Sequence, residues 1–445
     1  MRTRRLLAAL ALGLPSVLLL GCVAGAVSEE PTADPETPAV ECEEGEPLSQ
    51  AFDNGSAWTM CWQVQEDVGL LLTDIGFAPT GDDTIPILES LAIAQLEVPY
   101  DDGERLTNDI TEAGFGSGRM QTLTETECVG ERIATAVPNV GDGTYGKSPV
   151  REVLCSEVVD DGLGYRSSDG ALVADRRQSW QLGSISKVGW YEYVAQYAFG
   201  SDGTISPSLG ATGDISPLDF TDEEHGWPVG EGDHDHAASH SHNAVWRAHW
   251  ALGATGDLRA EQYDATETGE HGSESPILDG TLTEIAHPTT LEWENRRWWR
   301  VLSPSVENAD GHPISYEIDI DGTDSFAFSE DQHDHGDEAG YDVAFTNADE
   351  CQLFATHNGR ECGAGVLDFV ADSAEDPLRD IVSWVAVGFH HVVRDEDQSP
   401  MDTHWQGFTL LPRDLTAQRV GIPSGREDVN GIPEDSIWRQ GEDDE

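Results

Sequence analysis

Two histidines one residue apart, His240 and His242, open the run HSHNAVWRAHW. In an extended strand, side chains at i and i+2 point the same way, roughly 6.5–7 Å apart along the chain. Two imidazoles so placed can close on one metal ion through bonds near ~2 Å. A centre of this kind needs a third ligand, which a neighbouring strand can supply. His391, in GFHHVVRDEDQSPM, is a candidate, with His390 turned to the opposite face. His234, His236, His333 and His335 compete with it, and spacing does not choose among them. These four lie in two His/Asp-rich patches, GDHDHAASHSH (232–242) and DQHDHGDEAG (331–340). Exposed patches of this composition can also buffer metal at a surface without forming a centre.

Two further groups have reactive chemistry. Tyr191 lies in SKVGWYEY (186–193), which reads as a strand. A strand tyrosine ordinarily packs its ring and bonds its hydroxyl. Asp109 follows Tyr100 in VPYDDGERLTNDITEAGFGSG. A carboxylate in a partly dry pocket acquires a raised pKa, which suits a general base.

The elements that must position these groups are strands. WTMCWQV places Trp58, Met60, Trp62 and Val64 on one face, and NAVWRAHWAL does the same for Ala244, Trp246, Ala248 and Trp250. VGLLLTDIGF and DIVSWVAVGFHHVV are further strands, and YVAQYAFGSDGTI contains a turn at 201–203. Long capped helical patterns are scarce. The expected fold is mostly β, a large antiparallel β-sandwich.

The chain opens with Arg2, Arg4 and Arg5, then an apolar run to Leu20 and the box LLGC ending at Cys22. This reads as a lipoprotein signal over 1–22, with Cys22 lipidated and the protein exported to the periplasm or cell surface. The only membrane contact expected is that N-terminal lipid anchor. Residues 23–45 are acidic and proline-rich and read as a tether, 46–425 as one domain, and 426–445 as an acidic tail. The remaining cysteines are even in number, and export favours disulfides. Their order along the chain suggests Cys42–Cys61, Cys128–Cys155 and Cys351–Cys362. The net charge of −60 makes nucleic-acid binding implausible and fits a coat adapted to high salt.

In order along 55–415, six segments resemble the catalytic domain of the copper amine oxidases. They are LAIAQLEVPYDDGE, NDITEAGFGSG, the pair TECVGE and EVLCSEVVDDGL, SKVGWYEYVAQYAFGSDGTISPSLGATG, HSHNAVWRAHW, and GFHHVVRDEDQSPMDTHWQGFTLLP. The resemblance implies copper held by His240, His242 and His391, and topaquinone built from Tyr191. It implies Asp109 as the catalytic base, Tyr100 as a hydrogen-bond partner of the quinone, and Cys128–Cys155 as the family's disulfide. The implied reaction oxidises primary amines with oxygen to aldehydes, ammonia and hydrogen peroxide, in a homodimer. The chain departs from the family at Trp190, where the family has asparagine beside the quinone, and at Lys187, where it has threonine. His249 and Ala251 replace calcium-binding aspartates. The alternative is a copper-binding lipoprotein of the same fold that lacks the quinone.

Overall fold

The computed structural model describes residues 39–423 apart from 104, 142–148, 169–171, 221–222, 233–234, 255, 321–339 and 360–361. The signal with Cys22, the tether up to residue 38, the tail at 426–445, His234, His333 and His335 lie outside the described residues.

Strands β1 (Glu46–Ala51), β2 (Ala57–Gln65), β3 (Gly69–Ala78) and β4 (Ile85–Pro99) form an antiparallel meander. The short β5 (Leu106–Asn108) folds back on β4 and runs into one π-helical turn, Asp109–Ala113. The chain then crosses to a second sheet and lays down β6 (Glu131–Ala136), β7 (Val150–Ser167), β8 (Val173–Val188), β9 (Tyr191–Gly200) and β10 (Ile205–Gly213). A ribbon of β11 (Gly226–Pro228) and β12 (His236–Ala238) leads back to the first sheet, where β13 (His240–Trp250) inserts beside β4. A hairpin of β14 (Arg259–His271) and β15 (Pro276–Ile285) edges the second sheet. β16 (Thr289–Leu291) edges the first, and β17 (Trp298–Glu307) and β18 (Pro313–Asp319) rejoin the second. β19 (Val343–Asn347) and β20 (Ile381–His391) complete the first sheet, with the single described α-helix, α1 (Val366–Asp372), between them in sequence. β21 (Met401–Gly407) and β22 (Thr409–Arg413) close the second.

The strand order is β1-β2-β3-β4-β13-β20-β19-β16 in one sheet and β15-β14-β17-β18-β22-β10-β9-β8-β7-β6 in the other. Every pairing among the described strands is antiparallel. Side chains from both sheets share one core. Trp58 of β2 packs against Phe199 of β9 at 5.2 Å between rings and donates its indole N–H to the Gly200 carbonyl at 2.9 Å. This is the expected sandwich.

β13 is buried on both faces rather than one. Ala244, Trp246, Ala248 and Trp250 enter the inter-sheet core, while Val245 joins Trp384 and Phe369 beneath α1. A strand covered on both sides is where buried polar side chains cost most unless paired.

The segment SKVGWYEY is not one strand. β8 ends at Val188, Gly189 and Trp190 form a two-residue turn, and Tyr191 opens β9 paired with Val188. Gly189 has φ of 60°, the left-handed conformation that short hairpin turns require and that glycine adopts without a Cβ penalty. Apolar residues on both sides disguise this turn in the sequence. The expected disulfides Cys42–Cys61, Cys128–Cys155 and Cys351–Cys362 are all present. The first ties the end of the segment read as a tether to β2. Among the described residues no helix is long and apolar enough to cross a membrane.

Candidate metal centre

His240 and His242 occupy one face at the start of β13, and both are fully buried. β20 runs antiparallel beside it in a register that sets His391 opposite His240 and His390 opposite Ser241. The strand period therefore sends His391 inward and His390 outward, where it pairs with Asp101 at 2.9 Å. The ring of His240 lies 5.0 Å from that of His242 and 5.0 Å from that of His391. Of the competing histidines, His236 is described and bonds Asp235 at 2.8 Å, outside this group.

The hydrogen-bond network assigns each tautomer. His240 Nδ1 donates to the Ala238 carbonyl at 3.2 Å, and His391 Nε2 donates to the buried carboxylate of Asp397 at 3.0 Å. His242 Nδ1 faces the Tyr193 hydroxyl at 3.5 Å, and that hydroxyl in turn bonds Asp109. The opposite nitrogens, Nε2 of His240, Nε2 of His242 and Nδ1 of His391, carry the lone pairs and converge within 4.8 Å of one another. Tyr191 directs its hydroxyl between two of them, 2.6 Å from His240 Nε2 and 3.2 Å from His391 Nδ1. One hydroxyl proton cannot satisfy both, and His242 Nε2 has no hydrogen-bond partner. Three inward lone pairs, two underused and each braced from behind, suit a metal cation.

Electrostatics agrees. Burial pushes the His240 pKa down to about 3, with His391 adding a smaller push, and lowers His242 well below its ordinary value. His391 is also lowered, mainly by burial, although Asp397 opposes this. All three are neutral at physiological pH, the form that ligates. Burial likewise raises the Tyr191 phenol well above its ordinary value.

The other expected residues surround this cluster. Tyr100 forms a bridge to His240 and stacks its ring on that imidazole at 4.8 Å. The Arg105 guanidinium lies 3.6 Å over the Tyr100 ring and is fixed by Asp219 at 2.6 Å. Asp109, 6% exposed, starts the π-helical turn. Burial raises its pKa to about 6, opposed by hydrogen bonds from Thr107 and Tyr193. The Tyr193 ring stacks on Tyr191 at 5.8 Å and on Phe115 at 5.4 Å. Trp190, at the tip of the β8–β9 turn, is 47% exposed, so its indole is not packed into the core beside Tyr191. Lys187 pairs with Glu192 across the hairpin at 2.9 Å, and His249 pairs with Asp380 at 2.8 Å.

Sequence reading missed Asp397, Tyr193 and Arg105. Asp397 had a usable signal in the acidic run following His391. Tyr193 had one in its i+2 position after Tyr191, which puts both rings on one face. Arg105 had none.

Fold and site together define a class: an antiparallel β-sandwich with a three-histidine centre and a tyrosine hydroxyl against it. The chain belongs to the copper amine oxidase family, matching that family's enzyme domain over residues 55–424. It is 23% identical over 361 residues to a histamine oxidase of Arthrobacter globiformis, covering 76% of this chain and 52% of the relative. It is 26% identical over 385 residues to primary amine oxidase 2 of Arabidopsis thaliana, covering 77% and 54%. A copper-containing benzylamine oxidase from Hansenula polymorpha superposes with a TM-score of 0.69 at 20% identity, over 88% of this chain and 65% of that one. The chain spans about half the length of the curated relatives it matches.

Proposed function

We propose that this chain oxidises primary amines with oxygen, releasing aldehyde, ammonia and hydrogen peroxide, with copper and a topaquinone made from Tyr191. The observation that carries the reading is the Tyr191 hydroxyl lodged against His240 Nε2 and His391 Nδ1, beside the unpartnered His242 Nε2. Copper would be held by those three nitrogens. When bound, the metal and quinone supply the redox chemistry and an electrophilic carbonyl for the amine.

The remaining steps belong to side chains. Asp109 accepts the proton from the carbon next to the amine, and its pKa of about 6 leaves it ionised near neutrality but a stronger base than a solvated aspartate. Tyr193 orients the Asp109 carboxylate and also buttresses His242. Tyr100 presents its hydroxyl as a hydrogen-bond partner to the oxygen of the converted Tyr191, with its ring held by His240 and Arg105. Asp397 keeps His391 in the tautomer that frees Nδ1.

Export and a lipid anchor at Cys22 are part of this reading. The three disulfides support the oxidising compartment. Pairing of two copies is part of it as well, and the exposed β14–β15 hairpin is the surface we assign to that contact.

The test is copper loading in air, followed by phenylhydrazine and mass measurement of the tryptic peptide containing Tyr191. The expected result is a pink protein with a covalent adduct on that peptide. Full copper occupancy with unmodified Tyr191, and no rescue by Trp190→Asn, would leave a copper-binding protein of this fold without the quinone.

A further inference from the structure

His391 has two ring nitrogens, and the three-histidine centre uses one of them. Nδ1 faces the Tyr191 hydroxyl, while Nε2 faces away, toward Asp397 Oδ2 at 3.0 Å. A second group gathers on that far side. The donor atoms of His391, Asp397 and His404 all lie within 4.8 Å of one another. Three elements bring them together. His391 ends β20, Asp397 closes the short 3-10 turn Asp395–Asp397, and His404 sits in β21 opposite Ala211 of β10. His391 is the one member this group shares with the three-histidine centre. The Phe389 ring stacks on His242 of that centre at 4.8 Å and on His404 at 5.5 Å.

The contact between Asp397 and His404 differs from the molecule's ordinary His–Asp pairs. His390–Asp101 and His249–Asp380, nearer solvent, close to 2.9 and 2.8 Å and are hydrogen-bonded. His404 Nε2 instead stops 3.4 Å from Asp397 Oδ1, and neither atom makes a hydrogen bond, although both are shielded from solvent. Two ligands on one tetrahedral zinc, with bonds of ~2.0–2.1 Å, stand about 3.3 Å apart. The gap is thus too wide for a good hydrogen bond and right for two ligands of one ion. Arg394 also pairs with Asp397 Oδ1, at 3.6 Å, but its side chain is half exposed and reaches Asp402 at 3.6 Å too, so a cation can displace it toward solvent.

We propose that His391 Nε2, the Asp397 carboxylate and His404 Nε2 hold a second divalent cation, zinc, beside the three-histidine centre, with the His391 ring shared between the two sites. Two imidazoles and one carboxylate are a zinc ligand set that leaves a fourth position for water. His404, 24% exposed, marks the side from which ion and water enter. On binding, zinc takes the place of the proton on His391 Nε2, which passes to solvent, and no electron changes hands. The ion neutralises the buried Asp397 charge, ties β21 to β20 and fixes His391 from behind. The site depends on neither the quinone nor the amine.

The test is metal content. Copper-loaded protein is equilibrated with zinc, passed over a chelating resin that strips exposed acids and the His/Asp-rich patches, and analysed for both metals. The expected result is about one zinc per chain beside the copper. His404→Ala should keep its copper and retain roughly tenfold less zinc. His242→Ala should lose copper and keep zinc. Zinc should also change the copper electron paramagnetic resonance spectrum of the wild-type protein and leave that of His404→Ala unaltered. Absence of retained zinc overturns the site. Equal zinc in His404→Ala assigns the ion to the surface patches, and zinc lost together with copper in His242→Ala assigns it to the three-histidine centre; either overturns the site as well. If His404→Ala does not fold, His404→Gln, which keeps much of the volume without an imidazole, decides the same point.

Discussion

β13, paired with β20, and the β14–β15 hairpin follow one another in the sequence, yet they have opposite fates. Both pairs are antiparallel, and both carry histidine. In β13 nearly every residue is buried, and His240 and His242 sit in a dry interior with their donor nitrogens braced. Along β15 the residues are exposed except at its end, with Leu278 and Leu282 more than 40% accessible, and His271 at the end of β14 faces solvent. Residue type is thus a poor guide to metal chemistry. Burial on both faces of the strand lowers the pKa of His240 and His242 and, through the Ala238 carbonyl and Tyr193, fixes their tautomers.

The largest expected effect is on metal content. His242→Ala and His391→Ala should each take copper from about one per chain to near zero by elemental analysis, since each removes one of three ligands. His390→Ala and His271→Ala should retain it. Equal loss from His390→Ala would break the comparison at its root.

Next comes packing. Trp384→Ala on β20 empties a fully buried indole site and removes the hydrogen bond to Thr346, and should cost ~3–5 kcal/mol in denaturant unfolding. Leu282→Ala in the hairpin should stay within about 0.5 kcal/mol.

A pH series sharpens the electrostatic side. The Asp109 pKa is about 6 folded, against an ordinary value near ~3.9 unfolded. Between these values the folded state holds the extra proton. Stability should therefore fall as pH rises from about 4 to 6, by on the order of 3 kcal/mol, and level off above. Asp109→Asn should flatten that slope. Under the proposed amine oxidation the same ionisation would make Asp109 competent as the base, so turnover should rise with pH through about 6, and Asp109→Asn should abolish most of it. A slope unchanged in the variant would assign it to other groups.

The smallest effect on stability is expected from Leu278→Ser, at most a few tenths of a kcal/mol. If the hairpin joins two copies, light scattering should nevertheless show a shift toward monomer. An unchanged mass would remove the hairpin from that role.

How much of the site was legible follows from the range of the interactions. The i, i+2 rule exposes His240 and His242 because it depends on local geometry alone. His391 could be nominated but not chosen without the resemblance, because strand register is a long-range property. The SKVGWYEY turn was hidden because its only marker is one glycine between apolar residues, and a two-residue turn interrupts the strand pattern for too short a span. Arg105 was invisible, since nothing local says that its guanidinium will lie over Tyr100.

The sequence alone determined the strand-rich character, the metal-type histidine pair, the three cysteine pairs in chain order and the family that these segments resemble. Those properties depend on side-chain period and composition, which do not need a third dimension. Tertiary structure decided which histidine completes the centre, which nitrogen of each ring faces inward, and that a tyrosine hydroxyl rests among them. Each requires strands distant in sequence to be brought into one register and sealed from water, and only then do hydrogen bonds through Asp397, Tyr193 and the Ala238 carbonyl hold three lone pairs on a common point.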